Sequence, residues 1–356
     1  MRFSTLTGYA AGAALSVALL AGCSGGSSTS STPLGVGPNS PATQSLLHQG
    51  NPDILKQTSV SIRGYVAPHP GPQFRNVPQA KGQALVYVSD AGVNEVFAFK
   101  QTGGSPVETI SSGLSEPQGL ATDENGTLYV ANTGLSQVLA FKSGKTTPYL
   151  TVNTSGEYPV GVQTDDKGNM WVTNIVSTSG GAGNLQEYDK KGKLLQTITC
   201  TQLQKYYFDA IDKSGNVFVD GFATLSDTGP AVVEIKAGST TCTSLPPTFT
   251  FPGGLQIYKK KDLSLDDQSA NGGSGIIYTY AAPTFSKAIQ TTSLSGTSDP
   301  VDFAFQMGEK FIWTSSAGNG EAFQFAFPAG GSPTITLTGF SQSIGVAVYP
   351  VDEPNG

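Results

Sequence analysis

From about Ala84 onward the chain is broken into short apolar runs, separated by more polar stretches rich in glycine, proline, asparagine and aspartate. Gly119-Leu-Ala-Thr122 and Leu128-Tyr-Val-Ala131 are two such runs, with Asp123-Glu-Asn-Gly126 between them. Both are rich in strand formers, and Asp-x-x-Gly suits a tight turn with positive φ at the glycine, so the pattern predicts a β-hairpin. A third run, Gln137-Val-Leu-Ala-Phe141, extends the hairpin, and a glycine-containing turn leads to a weaker, more polar fourth strand.

This unit repeats. Pro117 to Asn132 recurs as Pro159 to Asn174, and the same offset relates Asp90 to Asn132, Val96 to Val138 and Phe99 to Phe141. Later units drift but keep two strands and a turn: Phe208 to Asp220, Gly254 with Asp262 to Asp267, and Val301 with Lys310 to Thr314. Gly345-Val-Ala-Val-Tyr349 matches the first strand of a unit with nothing after it, whereas Ala84-Leu-Val-Tyr-Val88 begins with a second strand. The two termini therefore complete one unit between them, which closes a ring and removes open sheet edges. The expectation is an all-β fold, a single β-propeller of about six four-stranded blades over residues 83–350. The Pro-x-Gly and Asx-x-Gly…Val-x-x-Phe pattern resembles NHL-type six-bladed propellers, a resemblance that implies the fold and leaves function open.

The N-terminus reads differently. Met1-Arg2 precedes a small-residue apolar run from Ala10 to Leu20, closed by Leu20-Ala-Gly-Cys23. The run is too short to span a bilayer comfortably and ends at small residues, which predicts an export signal over 1–22. The closing tetrad resembles the lipobox of bacterial lipoproteins, which implies acylation of Cys23 and a membrane partner through the lipid anchor, hence a cell-envelope, extracytoplasmic location. Residues 23–82 are rich in Ser, Gly, Pro and Asn and read as a flexible tether; 351–356 read as a short tail.

Composition agrees with short strands and many turns: 44 Gly and 22 Pro among 356 residues, and 13% charged. A net charge of -6 without an extended Lys/Arg run argues against nucleic acid as a partner. Both histidines, His48 and His69, precede the repeats, so imidazole chemistry is lacking in the propeller. This disfavours similarity to streptogramin-lyase-like, amidating-lyase-like or quinoprotein-dehydrogenase-like propellers.

Candidate chemistry gathers where the repeat order places second-strand ends and Pro-x-Gly loops on one face, opposite the Asp-x-x-Gly hairpins. That face is expected to carry Asp90, Asn132, Asn174, Asp220, Asp266 and Asp267, with Asp209 and Asp302 on first strands. Converging oxygen ligands would suit Ca²⁺; the alternative is that each side chain caps its own turn. Tyr158, Tyr206 and Tyr207, with Phe251, lie in or beside the loops and would either stack on a ligand or pack between blades. Trp171 and Trp313 are expected in the core. Cys200 and Cys242 would form a disulfide in an exported protein, or remain two thiols.

The function expected is a binding or scaffold propeller for a protein or carbohydrate ligand, with no cofactor required. The alternative is a Ca-type hydrolase resembling gluconolactonase-like propellers, although the Glu-Gly-Pro-type start of that family's first unit is missing and Glu116-Pro-Gln-Gly119 is its doubtful substitute.

Overall fold

The computed structural model describes residues 83–350. The signal, lipidation and tether expectations for residues 1–82 and the tail at 351–356 lie outside that range.

The described residues form six four-stranded antiparallel sheets. Blade one pairs Leu85–Asp90 (β1) with Glu95–Lys100 (β2), and β2 with Glu108–Ile110 (β3). Blade two is Pro117–Thr122 (β4), Leu128–Asn132 (β5), Gln137–Phe141 (β6) and Leu150–Asn153 (β7). Blade three is Glu157–Thr164 (β8), Met170–Ser177 (β9), Ala182–Tyr188 (β10) and Leu194–Ile198 (β11). Blade four is Lys205–Ile211 (β12), Val217–Phe222 (β13), Pro230–Ile235 (β14) and Cys242–Ser244 (β15). Blade five is Pro252–Tyr258 (β16), Asp262–Asp267 (β17), Ile276–Tyr280 (β18) and Ala288–Ser293 (β19). Blade six is Pro300–Phe305 (β20), Phe311–Ser316 (β21), Glu321–Ala326 (β22) and Ile335–Thr338 (β23). The last strand, Ser343–Tyr349 (β24), joins β1 from the inner side, Leu85 opposite Tyr349, and so supplies blade one with its innermost strand. Six blades and the closure by joined termini are as the repeats predict.

The hairpins form for the reason their sequences give. Asp123 Oδ1 accepts the N–H groups of Asn125 and Thr127, and Asp165 and Asp212 do the same in the next two blades. Gly126, Gly168 and Gly215 each take a positive φ of 74–78°. Apolar positions alternate along the strands and fill the seams between blades. The seam between blades three and four buries Leu185, Val217, Val219 and Val233, and that between five and six buries Ile277, Phe303, Ile312 and Phe325.

The Pro-x-Gly glycines mark where the innermost strands approach each other. A Cβ on Gly345 would lie 2.1 Å from the Gln118 carbonyl oxygen, and one on Gly119 would lie 2.4 Å from that of Val160. Neighbouring backbones occupy the volume of a side chain there, which only glycine leaves empty.

Candidate functional site

Strand register sorts the acidic candidates into three kinds of place. Asp90, Asn132, Asn174, Gly221, Asp267 and Ser316 are equivalent, each paired with the start of its blade's innermost strand. In four blades this side chain clamps the incoming loop. Asp90 accepts the N–H groups of Ser341 and Gln342 at 2.6 and 2.9 Å, and Asp267 those of Thr250 and Phe251 at 2.8 and 2.9 Å. Asn132 accepts from Ser115 N–H and donates to the Gly113 carbonyl, while Ser316 exchanges both bonds with Ser298. The capping alternative holds for Asp90, Asn132 and Asp267. Asn174 instead donates to Asn184 Oδ1 and Gln186 Oε1 within its own blade.

Asp220 and Asp266 stand one residue earlier, with Ser89, Ala131, Thr173 and Ser315 as their counterparts. Asp302 occupies the place of Gly119, Gly161, Gly254 and Gly345; its Oδ2 accepts Val346 N–H in blade one, and its Oδ1 accepts Phe303 N–H. Asp209 occupies the place held by Leu120, Val162, Leu255, Phe303 and Val346 in the other blades. All four of these carboxyls are buried.

Burial is the first cause acting on each of the four, and mutual repulsion adds to it in three. Asp209 is pushed well above the ordinary carboxylate range by burial and then by Asp302, and Asp266 by burial, Asp267, Asp302 and Asp220. Asp220 is likewise raised by burial despite the N–H of Phe208, with Asp209 and Asp302 contributing. Asp302 is pushed up to about 8 by burial, against the two N–H groups it accepts. The charge of Asp302 on blade six thus reaches Asp209 and Asp220 of blade four and Asp266 of blade five. Among the described residues, however, no three His, Cys, Asp or Glu side chains are placed to hold a metal ion.

The aromatic candidates pack between blades and are not available for stacking on a ligand. Tyr158, Tyr206, Tyr207 and Phe251 are all buried. Tyr207 and Phe251 meet edge-to-face at 5.6 Å, with Phe222 against both, and Tyr206 Oη takes the Cys200 N–H. Tyr158 lies at the start of β8 and Tyr206 and Tyr207 at the start of β12, and only Phe251 precedes its strand; rings of this size beside a blade seam remove more surface from water by packing inward than by standing out. Cys200 and Cys242 are joined in a disulfide, Cα to Cα 5.5 Å. Trp171 and Trp313 are buried as expected.

The open space lies on the opposite face from the one the repeat pattern favoured. A cavity of about 940 Å³ opens among the Asp-x-x-Gly hairpins. The residue after the place of Asp209 and its counterparts lines it in every blade: Ala121, Gln163, Ala210, Gln256, Ala304 and Ala347. Four alanines widen the channel, and two glutamines bring amides to its wall. Around the rim stand Lys167, Lys190, Lys213 and Lys259, all exposed, from blades three to five. Asp123 and Asp165 on the same rim are held by their own turns. Sequence reasoning overlooked this ring although its signal is present: once register is known, a small or amide residue follows the same inner-strand position in all six units, a position that is apolar in five and Asp209 in blade four.

No known protein family matches the chain, and no curated protein matches it. Solved structures do. A protein of unknown function from Bacteroides caccae superposes with a TM-score of 0.57 at 13% identity, covering 75% of this chain and 98% of that one. A chain of a nidogen/laminin complex gives 0.61 at 13% identity, covering 76% and 100%, and a functionally unknown protein from Desulfotomaculum acetoxidans gives 0.53 at 11%, covering 75% and 99%. The likeness is one of fold. At such identity it carries no substrate or partner to this chain.

Proposed function

We propose that this chain is a binding propeller, exported and held in the cell envelope by an acylated Cys23, which takes a protein or carbohydrate ligand into the cavity on its hairpin face. The observation that carries the reading is the ring of Ala121, Gln163, Ala210, Gln256, Ala304 and Ala347, one from each blade, around a cavity of about 940 Å³. A concave site with a few convergent polar groups is the usual form of a ligand pocket. Each glutamine amide offers two donors and an acceptor, a fit for hydroxyl-rich or peptide groups. A tethered propeller needs no catalytic group to act this way, and Asp90 and Asp267 already serve the fold.

The test uses the full chain against immobilised bacterial surface polysaccharides and envelope-protein fractions. Ala210→Trp fills the channel and is expected to reduce binding at least tenfold, with Gln163→Ala giving a smaller loss, while circular dichroism stays unchanged. Binding that survives Ala210→Trp in a folded protein sinks the cavity as the site. For the anchor, Cys23→Ser is expected to move the protein from the membrane to the soluble fraction and to abolish incorporation of a labelled fatty acid. Calcium needs oxygen ligands brought together, so calorimetric titration of Ca²⁺ is expected to give no heat of binding; micromolar affinity lost in Asp302→Ala would favour the hydrolase reading.

A further inference from the structure

Four of the six seams between blades are fastened near the axis by a hydroxyl-to-carbonyl bond. Ser89 Oγ of blade one donates to the Gln118 carbonyl of blade two at 2.7 Å, and Thr173 Oγ1 of blade three to the Tyr207 carbonyl of blade four at 2.7 Å. Ser315 Oγ of blade six donates to the Ile344 carbonyl of blade one. Blade two has Ala131 at this place, and Thr133 Oγ1 reaches across instead, to the Pro159 carbonyl at 2.6 Å. Each bond satisfies a buried carbonyl on the innermost strand of the next blade.

Two seams lack the hydroxyl. From blade four to five and from five to six, the equivalent residues are Asp220 and Asp266, and the carbonyls at the matching places are those of Gly253 and Val301. Alternation puts Asp220 on the strand face of Phe218 and Phe222, which pack against Phe251, Leu263 and Leu265 of blade five. Asp266 lies at the other seam, its Oδ1 3.3 Å from where a Cβ on Gly275 would be, a point that also touches the Pro300 ring. Both side chains are fully buried, at 0% exposure. Asp220 Oδ2 and both oxygens of Asp266 have no hydrogen-bond donor. An ionised carboxylate is acceptor-only and would repel a carbonyl; a protonated one supplies the O–H that serine and threonine supply elsewhere.

We propose that Asp220 and Asp266 are carboxylic acids in the folded protein and close the two seams of blades four to six by donating their protons to the next blade's backbone, which makes this arc of the ring a pH-sensitive clasp. The titratable groups facing them are Asp209 on β12, Asp302 on β20 and Asp267 beside Asp266, all acidic, with Tyr207 on β12 next to Asp220. The one buried cation among the described residues, Lys205, is paired with Asp227 at 2.6 Å. No titratable group facing the clasp favours ionisation; the Phe208 N–H, which Asp220 Oδ1 accepts at 2.8 Å, does, but burial is the larger cause and opposes it.

The sign follows. A carboxyl held above its ordinary value keeps a proton in the folded state that the unfolded chain gives up, so its contribution to stability is complete below about pH 4 and declines as pH rises toward the folded value. Each such group raises the unfolding constant about tenfold per pH unit across that window. Denaturant unfolding of the full chain between pH 5 and 8 is the test, with Asp220→Asn and Asp266→Asn. Each amide keeps a donor and cannot ionise, so each variant is expected to lower the pH slope by about tenfold per unit and to be more stable than the parent at pH 8. The hydroxyl variants Asp220→Thr and Asp266→Ser restore the pattern of the other seams and are expected to behave alike. Infrared spectra of the parent at pH 7 should show carboxylic-acid C=O absorption that is weaker in the double Asn variant, the remainder belonging to Asp209 and Asp302. An unchanged slope in folded variants, or an acid band at pH 7 that the double Asn variant leaves undiminished, overturns the proposal.

Discussion

At the residue scale, equivalent positions do different work because one atom differs. Where Asp90, Asn132, Asp267 and Ser316 stand, a side-chain oxygen reaches back to the backbone of the loop entering its own blade. One position earlier, the side chain reaches across to the next blade. A shift of one residue in reading the repeat merges the two sets, which is how Asp220 and Asp90 came to be grouped by sequence. The sequence shows that both are acidic and near a strand end. It does not show that Gly221, whose added Cβ would lie 1.8 Å from the Lys205 carbonyl oxygen, is the true counterpart of Asn132. A prediction follows for the clamp. Asp90→Ala removes the acceptor for Ser341 and Gln342 N–H, both partly buried bonds to a buried carboxyl, and hydrogen bonds to a charged group are worth about 1.5–3 kcal/mol. Urea unfolding should show a loss of roughly 3 kcal/mol, with Asp90→Asn, which keeps one acceptor, losing less. Equal stability of Asp90→Ala and the parent would mean that these loops hold without the clamp.

At the element scale, the first three strands of a blade were legible by residue, and the fourth only as a weaker, more polar strand after a turn. First, second and third strands carry alternating apolar residues that fill the seams, such as Val86, Val88 and Phe99 of blade one. Some outermost strands are very short, β3 with three residues and β15 with three, the latter largely exposed, so little pattern is left to read. In blade four that weakness is met covalently. The Cys200–Cys242 bridge ties the connection after β11 to the start of β15, across a separation of 42 residues. Gln202 Nε2, bonded to the Cys242 carbonyl, holds the same corner. Closing a loop of this length restricts the unfolded chain and contributes about 4 kcal/mol in the chain-entropy account. Cys242→Ser is expected to lower the midpoint of denaturation, and reducing agent should lower the parent to the same level while leaving the variant unmoved. A parent indifferent to reductant would show that the bridge adds nothing to stability. The cysteine count, in a chain whose N-terminus reads as an export signal, raises the pairing, and only the path of β15 back over blade four brings the two together.

At the scale of the whole molecule, the question is what a ring of weakly similar units requires in order to close. Blade one is built from both ends of the described chain, with β24 inside and β1 to β3 outside, so its innermost seams form last in sequence terms and unite residues far apart. Ser89 Oγ takes part twice, donating to Gln118 and accepting Gly345 N–H, and Gln101 Nε2 donates to both Leu85 and Tyr349 carbonyls. These bonds join β24 to β1 and β1 to β4 of blade two, and the close approach of Gly345 to the Gln118 carbonyl leaves no room for a looser register. If closure is a property of the ring, any blade can be the split one; if it depends on these particular contacts, only blade one can. Circular permutation separates the two. Leu85 and Tyr349 are paired neighbours, so a short glycine linker can join them, and new ends can be cut between Asp166 and Lys167, both exposed in a hairpin of blade three. The permutant then closes through β8 exactly as the parent closes through β24 in topology, with every side chain retained. It is expected to fold cooperatively, with an unfolding free energy within about 2 kcal/mol of the parent. Deletion of β24 from the parent should give no soluble ring, because it exposes the inner edge of β1 and empties two seams at once. A permutant that fails to fold while the linked, uncut ring remains stable would place the decisive closure in the contacts of Ser89, Gln101 and Gly345.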